Sequence, residues 1–557
     1  MKAEIKRVNG TLRLFVGGEM ISPNAYITYF TNKSRYEDFA DAGYKLFSVP
    51  VMFSSKTFNE NSQAPCFGRA VFDGEDPRFD VVDDDIRKIL AACPDALIFP
   101  RLNLSLPERW EIANPDELCD TGKAEIHRPC FSSDLWFEET CMLLDSMIDH
   151  MSSSDYAEHI IGYQLAGGNT EEWFSFDQVG SIGKRSREKF AEYRALYSIE
   201  DTEAEYYGFL SRIVADRICD LASFARKKIG KDLLIGTFYG YTFECPSRVS
   251  CHHALDRVLE CPDIDFICSP VSYAVNRVMG RDHGCMLPCN SLDLHGKLYF
   301  AENDTRTHLI EVPFPHLPYF QNPVFKPKEF GDTVEMLKLH YARALIHGYA
   351  LWWFDMWGGW YAHPTYMQMM RDFLAITDAS LKKDLSGASE VAVFIDEKAY
   401  KHLRDSTAGN LVAYKIREAL GKIGAPYDCF LASDFDAVKE KYKAYILLEP
   451  TKTPLSESIE EYVRESKVGC FKITVENCDV TPTELREFCK RCGVHIYSEK
   501  DAVIYANQSY LFVHTCSDGK LDISMPEGKT LKPLYACLGE GENYPEKYGC
   551  LFEIVNA

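Results

Sequence analysis

Two glutamate-bearing segments carry the residues best suited to chemistry. One runs Ile160-Ile161-Gly162-Tyr163-Gln164-Leu165-Ala166-Gly167-Gly168-Asn169-Thr170-Glu171-Glu172-Trp173, the other Leu298-Tyr299-Phe300-Ala301-Glu302-Asn303-Asp304-Thr305-Arg306. Each is an apolar run that gives way to polar and aromatic residues, the pattern of a buried strand running out onto a rim. A carboxylate at that depth must be paired or hydrogen-bonded. Two carboxylates facing each other across a cleft are the equipment of glycosidic bond cleavage, one as nucleophile and one as acid and then base. Glu302 is the candidate nucleophile, with Arg306 as a local partner. Glu171 and Glu172 compete for the acid/base position. Glu172 is favoured, because an indole from Trp173 packed under its carboxyl would raise the pKa as a general acid requires. Glu171 then takes a hydroxyl-binding position. The plain structural alternatives are an ion pair sealing a strand end and two surface glutamates opening a helix.

Other residues group around these. Leu351-Trp352-Trp353-Phe354-Asp355-Met356-Trp357-Gly358-Gly359-Trp360-Tyr361 holds four tryptophans within nine residues. Half of that run must be core, and Trp353 or Trp357 is the candidate floor of a sugar subsite. Tyr273 is placed to hydrogen-bond the nucleophile. Arg101, Asn103, Asn169, Tyr239, Asp304, Arg306 and Asp355 complete the candidate substrate-binding set.

The elements that must position these residues alternate. Candidate strands are Tyr26-Phe30, Phe47-Met52, Ala96-Arg101, Ile160-Leu165, Leu233-Tyr239, Asp265-Val271, Lys297-Glu302 and Ala350-Asp355. Helical periodicity fills the gaps, as in Val82-Ala92, Leu135-Met151, Glu203-Lys228 and Thr333-Ile346. Continuous apolar strands alternating with helices imply a parallel sheet covered on both faces. Eight such units over roughly 380 residues is the size of a (β/α)8 barrel, whose chemistry sits at the C-terminal strand ends. Glu171 and Glu172 then follow barrel strand four, and Glu302 ends strand seven. The expected organisation is α/β: a catalytic barrel over residues 1–385, a flavodoxin-like α/β domain over 386–500, and a small antiparallel β-sandwich domain over 501–557. An opening hairpin turns at Gly17-Gly18. In the second domain the expected elements are Val391-Ile395, a helix Leu411-Ile423, Tyr427-Leu431, Ala444-Leu448, a helix Ser456-Glu465 and Cys470-Thr474. In the third they are Tyr510-Thr515, Leu521-Ser524 and Leu551-Val555, with a turn at Asp518-Gly519.

Composition narrows the function classes. The 557 residues are 46% hydrophobic and 26% charged, with a formal net charge of −22. That charge argues against nucleic acid or an anionic membrane as partner. No run approaches the roughly 18 apolar residues of a membrane span. The first residues, Met1-Lys2-Ala3-Glu4-Ile5-Lys6-Arg7, lack the apolar core of a secretory signal. Twenty cysteines scattered through a large chain read as reduced thiols in a cytoplasmic protein. Cys489-Lys490-Arg491-Cys492 has no second pair to complete a metal site, and Cys245, Cys251, Cys261 and Cys268 are spaced too loosely for a zinc motif. Ser406-Thr407-Ala408-Gly409-Asn410 has phosphate-loop composition, but it starts ten residues after its strand. Cys470 lacks the His-x-Glu of an amidotransferase. No metal and no cofactor are expected.

With these residues in place, the chain resembles the clan A glycoside hydrolases, and in domain order the family 42 β-galactosidases. The acid/base Asn-Glu-aromatic pattern of that family maps onto Glu171-Glu172-Trp173, and its nucleophile onto Glu302. The loop Ala166-Gly167-Gly168-Asn169-Thr170 is longer than the family's, glutamate replaces its asparagine, and its four-cysteine zinc site is unmatched. The resemblance is therefore to a related β-galactosidase or β-mannosidase group sharing the three-domain plan. It implies a retaining exo-β-glycosidase acting on an oligosaccharide or glycoside, most simply a β-galactosidase, with β-mannosidase as the alternative. It also implies a homo-oligomer, a trimer by architecture. A non-catalytic carbohydrate-binding protein on a barrel scaffold is the alternative of another class.

Overall fold

The computed structural model describes residues 1–56, 64–119, 128–175, 184–273, 277–317, 327, 329–515, 521–535 and 549–557. The turn expected at Asp518-Gly519 lies outside them. The chain opens with an antiparallel meander, β1 (Ala3–Val8), β2 (Thr11–Val16) and β3 (Glu19–Ile21). Eight parallel strands then close a barrel: β4 (Asn24–Ile27), β5 (Leu46–Met52), β6 (Leu97–Asn103), β7 (Gly162–Ala166), β8 (Leu234–Phe238), β9 (Phe266–Pro270), β10 (Leu298–Asn303) and β11 (Ala350–Phe354). All eight expected strands are present, shifted by three residues at most. Helices Asp80–Ala92, Asp134–Ser153, Glu203–Ile229 and Phe330–His347 cover the barrel. Their starts are written in the sequence: the Ser133 and Thr202 side chains accept backbone N–H groups of Trp136 and Glu205.

The lumen is a packed core. Phe99, Phe266, Phe300 and Trp352, from four different strands, meet inside it with ring centroids 4.4 to 5.9 Å apart. Two glycines make room: a Cβ on Gly236 would stand 2.0 Å from the Phe266 ring, and one on Gly162 2.7 Å from the Phe99 ring. Because a strand repeats its face every two residues, Arg101, Cys268, Glu302 and Phe354 form the next layer toward the C-terminal rim.

A second parallel sheet follows in the order β13-β12-β14-β15, with β12 (Val391–Ile395), β13 (Tyr427–Leu431), β14 (Ala444–Leu448) and β15 (Gly469–Ile473). The helix expected over 411–423 instead begins at Thr407 and widens into a π-helical turn over Asn410–Lys415 before Ile416–Leu420. The C-terminal segment forms one antiparallel sheet among the described residues, ordered β16 (Val503–Ala506), β17 (Tyr510–His514), β19 (Cys550–Asn556), β18 (Lys529–Tyr535). Residues 521–524, expected as a strand, are not one. Helix Phe330–His347 covers this sheet: Asn507 Nδ2 donates to the Ile346 carbonyl at 2.7 Å and Lys338 Nζ to the Gly549 carbonyl at 2.8 Å. No helix among the described residues is long and apolar enough to cross a membrane.

Candidate active site

Glu171 and Glu172 sit in a loop that folds back on itself after β7. Trp173 N–H donates to the Gly167 carbonyl (2.8 Å) and Asn169 N–H to the Phe174 carbonyl (3.1 Å). The reversal needs left-handed backbone at Gly168, Thr170, Glu171 and Trp173, with φ of 69°, 56°, 69° and 63°. Such a conformation is costly for non-glycine residues, above all for β-branched threonine. It turns two consecutive carboxylates toward different partners. Glu171, 1% exposed, receives hydrogen bonds from the Tyr29 hydroxyl and from Asn103 Nδ2 (3.2 Å). Glu172 Oε1 receives one from the Tyr241 hydroxyl at 2.9 Å, and its Oε2 lies 2.8 Å from Thr170 Oγ1.

Trp173 itself is fully buried, and its indole N–H goes to Thr237 Oγ1 at 3.0 Å on β8. Its ring lies over Gly167, where a Cβ would approach to 2.8 Å. The indole thus anchors the loop.

Glu302 ends β10, and its cationic partner comes from across the barrel. Arg101, on β6 and without exposed surface, donates Nη2 to Glu302, Nε to Gln164 (2.9 Å) and Nη1 to the Tyr29 hydroxyl (3.3 Å). Its guanidinium is held between the Phe238 and Phe354 rings, 4.9 and 5.3 Å away. The local partner expected for Glu302, Arg306, stacks instead on the Trp357 ring at 4.9 Å. Arg101, Tyr29 and Glu171 form one chain of contacts ending on Glu302.

The electrostatics divide the three glutamates. Burial pushes Glu172 up to about 8, with the Glu302 and Asp304 charges adding and the Thr170 and Tyr241 hydrogen bonds opposing. Burial raises Glu302 to about 7 against the pull of Arg101. Glu171 is raised by burial too, with Arg101, Tyr29 and Asn103 opposing. Thr170 has one proton and two oxygens within reach, Glu172 Oε2 and its neighbour's carbonyl, Asn169 O, at 2.7 Å. The Thr170 bond to Glu172 is donated by the hydroxyl and lowers the carboxyl's pKa.

The remaining candidates divide. Asp304 accepts from the Tyr273 hydroxyl (2.7 Å) and pairs with Arg277 at 2.6 Å. The Tyr273 proton expected on the nucleophile is therefore given to Asp304. Asn169 holds Arg128, whose Nη2 donates to its Oδ1 at 3.3 Å. Tyr239 is buried, with its hydroxyl between the Ser211 and Cys251 carbonyls, and is not a hydroxyl reader. Asp355 accepts from Tyr26 and from the amides of Gly359 and Trp360, so it shapes its own loop. Trp353 points outward into core, its indole N–H on Tyr44 and its ring along Phe373. Of the two tryptophans, Trp357 is the one beside Arg306 on the rim side of β11. Tyr29, Gln164 and Tyr241 were missed, because polar residues in or just after apolar strands reveal their partners only once the barrel closes. Among the described residues no three His, Cys, Asp or Glu side chains are grouped to hold a metal ion.

No family model matches the chain, and no curated protein matches it in sequence. Among solved structures it is similar to a β-galactosidase from Rahnella sp. R3, at 12% identity and a TM-score of 0.51, over 85% of this chain and 72% of that one. It also aligns with α-L-fucosidase isoenzyme 2 from Paenibacillus thiaminolyticus, at 11% identity and a TM-score of 0.49, over 90% of this chain and 71% of that one. At such identity the first likeness establishes the shared fold.

Proposed function

We propose that this protein is a retaining β-glycosidase that removes terminal β-linked sugars by double displacement. Glu302 attacks the anomeric carbon while Glu172 protonates the departing oxygen. Glu172 then takes a proton from the water that opens the glycosyl-enzyme at the same carbon. The observation that carries this reading is the difference in partners of the two carboxyls: Glu302 is bound to the Arg101 guanidinium, whereas among the described residues Glu172 is hydrogen-bonded to hydroxyls and is raised to about 8. The Arg101 charge lowers the Glu302 pKa against its burial, while the Glu302 and Asp304 charges raise that of Glu172, the direction in which Glu302 serves as the anion and Glu172 as the acid. Arg101 also keeps the nucleophile from being fully neutralised by its burial. In this reading Glu171, held by Tyr29 and Asn103, keeps the hydroxyl-binding role.

Exo action and a galactose preference follow from the family resemblance, and the first likeness, to a β-galactosidase, agrees with it in fold. Mannose is the alternative, differing in the configuration of two ring hydroxyls. The test is a panel of 4-nitrophenyl α- and β-glycosides with the natural chain and with Glu302→Gln and Glu172→Gln. One β-sugar is turned over, and Glu302→Gln removes that turnover. The expected separation of the two carboxyls in a ligand-bound structure is about 5–5.5 Å. Near-native turnover by Glu302→Gln, or a separation beyond about 8 Å, overturns the mechanism. Sugar binding without turnover of any substrate points to the carbohydrate-binding alternative.

A further inference from the structure

Glu172 owes its position to two segments that are not neighbours in the barrel wall alone: its own loop after β7 and the turn after β8 that carries Tyr241. One buried ring joins them. His252 has no exposed surface. Its Nδ1 faces the backbone N–H groups of Gly240 (3.2 Å) and Tyr241 (3.4 Å). A nitrogen that accepts cannot carry the proton, so the proton sits on Nε2. Nε2 makes no hydrogen bond among the described residues, and the Glu172 backbone lies close enough to act on the ring's charge. The ring stacks on Tyr239 at 4.9 Å and packs against Tyr241 at 4.7 Å and Phe174 at 4.5 Å. Gly240, with φ of 85°, makes the turn that aims both amides at Nδ1.

We propose that His252 is a positioning residue for proton transfer, tying the loop that carries Glu172 to the turn that carries its hydroxyl donor. The inference rests on Glu172 being the general acid. Through Nδ1 the ring fixes the backbone of Tyr241, whose hydroxyl holds Glu172 Oε1. Through its packing on Phe174 it braces the acid's own loop. Burial, with His253 alongside, keeps the ring neutral by lowering its pKa to about 3. That neutrality suits the role, because a cation beside Glu172 would favour its ionised form. A misplacement of about 1 Å at a reacting group costs on the order of a hundredfold in rate, so a residue that touches no substrate can still govern the acid step.

The experiment compares His252→Phe, which keeps a ring and loses the acceptor, with His252→Asn, which keeps an acceptor and loses the ring. Each is assayed on two β-glycosides of the same sugar: a 2,4-dinitrophenyl glycoside, whose leaving group departs without acid help, and an alkyl glycoside, which needs it. Thermal unfolding is recorded alongside. The expected result for His252→Phe is a loss of at least about tenfold in kcat/KM, which reports the glycosylation step alone, on the alkyl glycoside against under about twofold on the dinitrophenyl glycoside, as for loss of general acid help. The basic limb of its pH profile also moves, and His252→Asn retains more activity on the alkyl glycoside. An equal fall on both substrates, or no fall, overturns the proposal. If His252→Phe does not fold, the same substrate comparison on His252→Asn decides. Glu172→Gln serves as the control: a leaving-group dependence there without one at His252 sinks the His252 role alone, and its absence at Glu172 sinks the acid assignment with it.

Discussion

Replacing Glu172 by Gln should strengthen the fold, by an amount that grows with pH. The carboxyl is mostly buried, with two hydroxyl partners and no cation among its hydrogen bonds, and its folded pKa of about 8 stands above the ordinary 4.5. A group raised in this direction contributes stability as the protonated acid, fully below about 4.5. That contribution is lost as pH rises through about 8, because the unfolded chain ionises first. With about 1.4 kcal/mol per pKa unit, the ionisable carboxyl costs about 1 kcal/mol at about pH 5 and about 5 kcal/mol at about pH 9. Glutamine keeps an oxygen for Tyr241 and has no charge to desolvate, so the variant's advantage should widen by about 4 kcal/mol across that interval. Urea unfolding of both chains at the two pH values measures it, through midpoints at an unchanged slope. A pH-independent difference would refute the argument, since it would mean that Glu172 is already ionised in the fold. The same substitution should remove turnover of alkyl glycosides, so the acid is held at a cost in stability.

Tyr241→Phe removes one of the two hydrogen bonds that lower the Glu172 pKa, so the basic limb of the kcat/KM profile should move to higher pH. Arg101→Met strips Glu302 of its cation. It should destabilise the protein by about 3–5 kcal/mol, as for a broken buried ion pair, and move the acidic limb upward, because Arg101 lowers the Glu302 pKa. An unchanged profile in either case would disprove the assignment of that limb. Gly236→Ala drives a methyl group into the Phe266 ring and should cost about 1–3 kcal/mol by overpacking, seen as a lower unfolding midpoint.

The barrel was legible because its strands are buried on both faces, so each one is a continuous apolar run, and because strand ends mark the rim. That was enough to place Glu302 and the Glu171-Glu172 pair. The partner of Glu302 was not legible: Arg101 and Glu302 are 201 residues apart, and only barrel closure brings them together. Arg306 was expected instead because sequence offers near neighbours, and a guanidinium will take an aromatic face such as Trp357 when the carboxylate is already bound. Trp353 was misread for a related reason. One residue of register decides which side of the wall a side chain occupies, and the lumen position belongs to Trp352. The left-handed run at Thr170, Glu171 and Trp173 has no signature in residue type, since glycine would be the natural choice at each.

The four aromatic rings beneath the carboxyls plug the barrel below them. Phe99, Phe266, Phe300 and Trp352 have no exposed surface, so nothing reaches the rim layer from the far end of the barrel. Under the proposed mechanism, the departing aglycone and the water that follows it use the same doorway, in turn. Any alcohol waiting there competes with that water for the glycosyl-enzyme, and the competition is settled by who stands in the entrance. Feeding a glycosidase of this build a concentrated alcohol should therefore divert sugar into a new glycoside, with total leaving-group release undiminished.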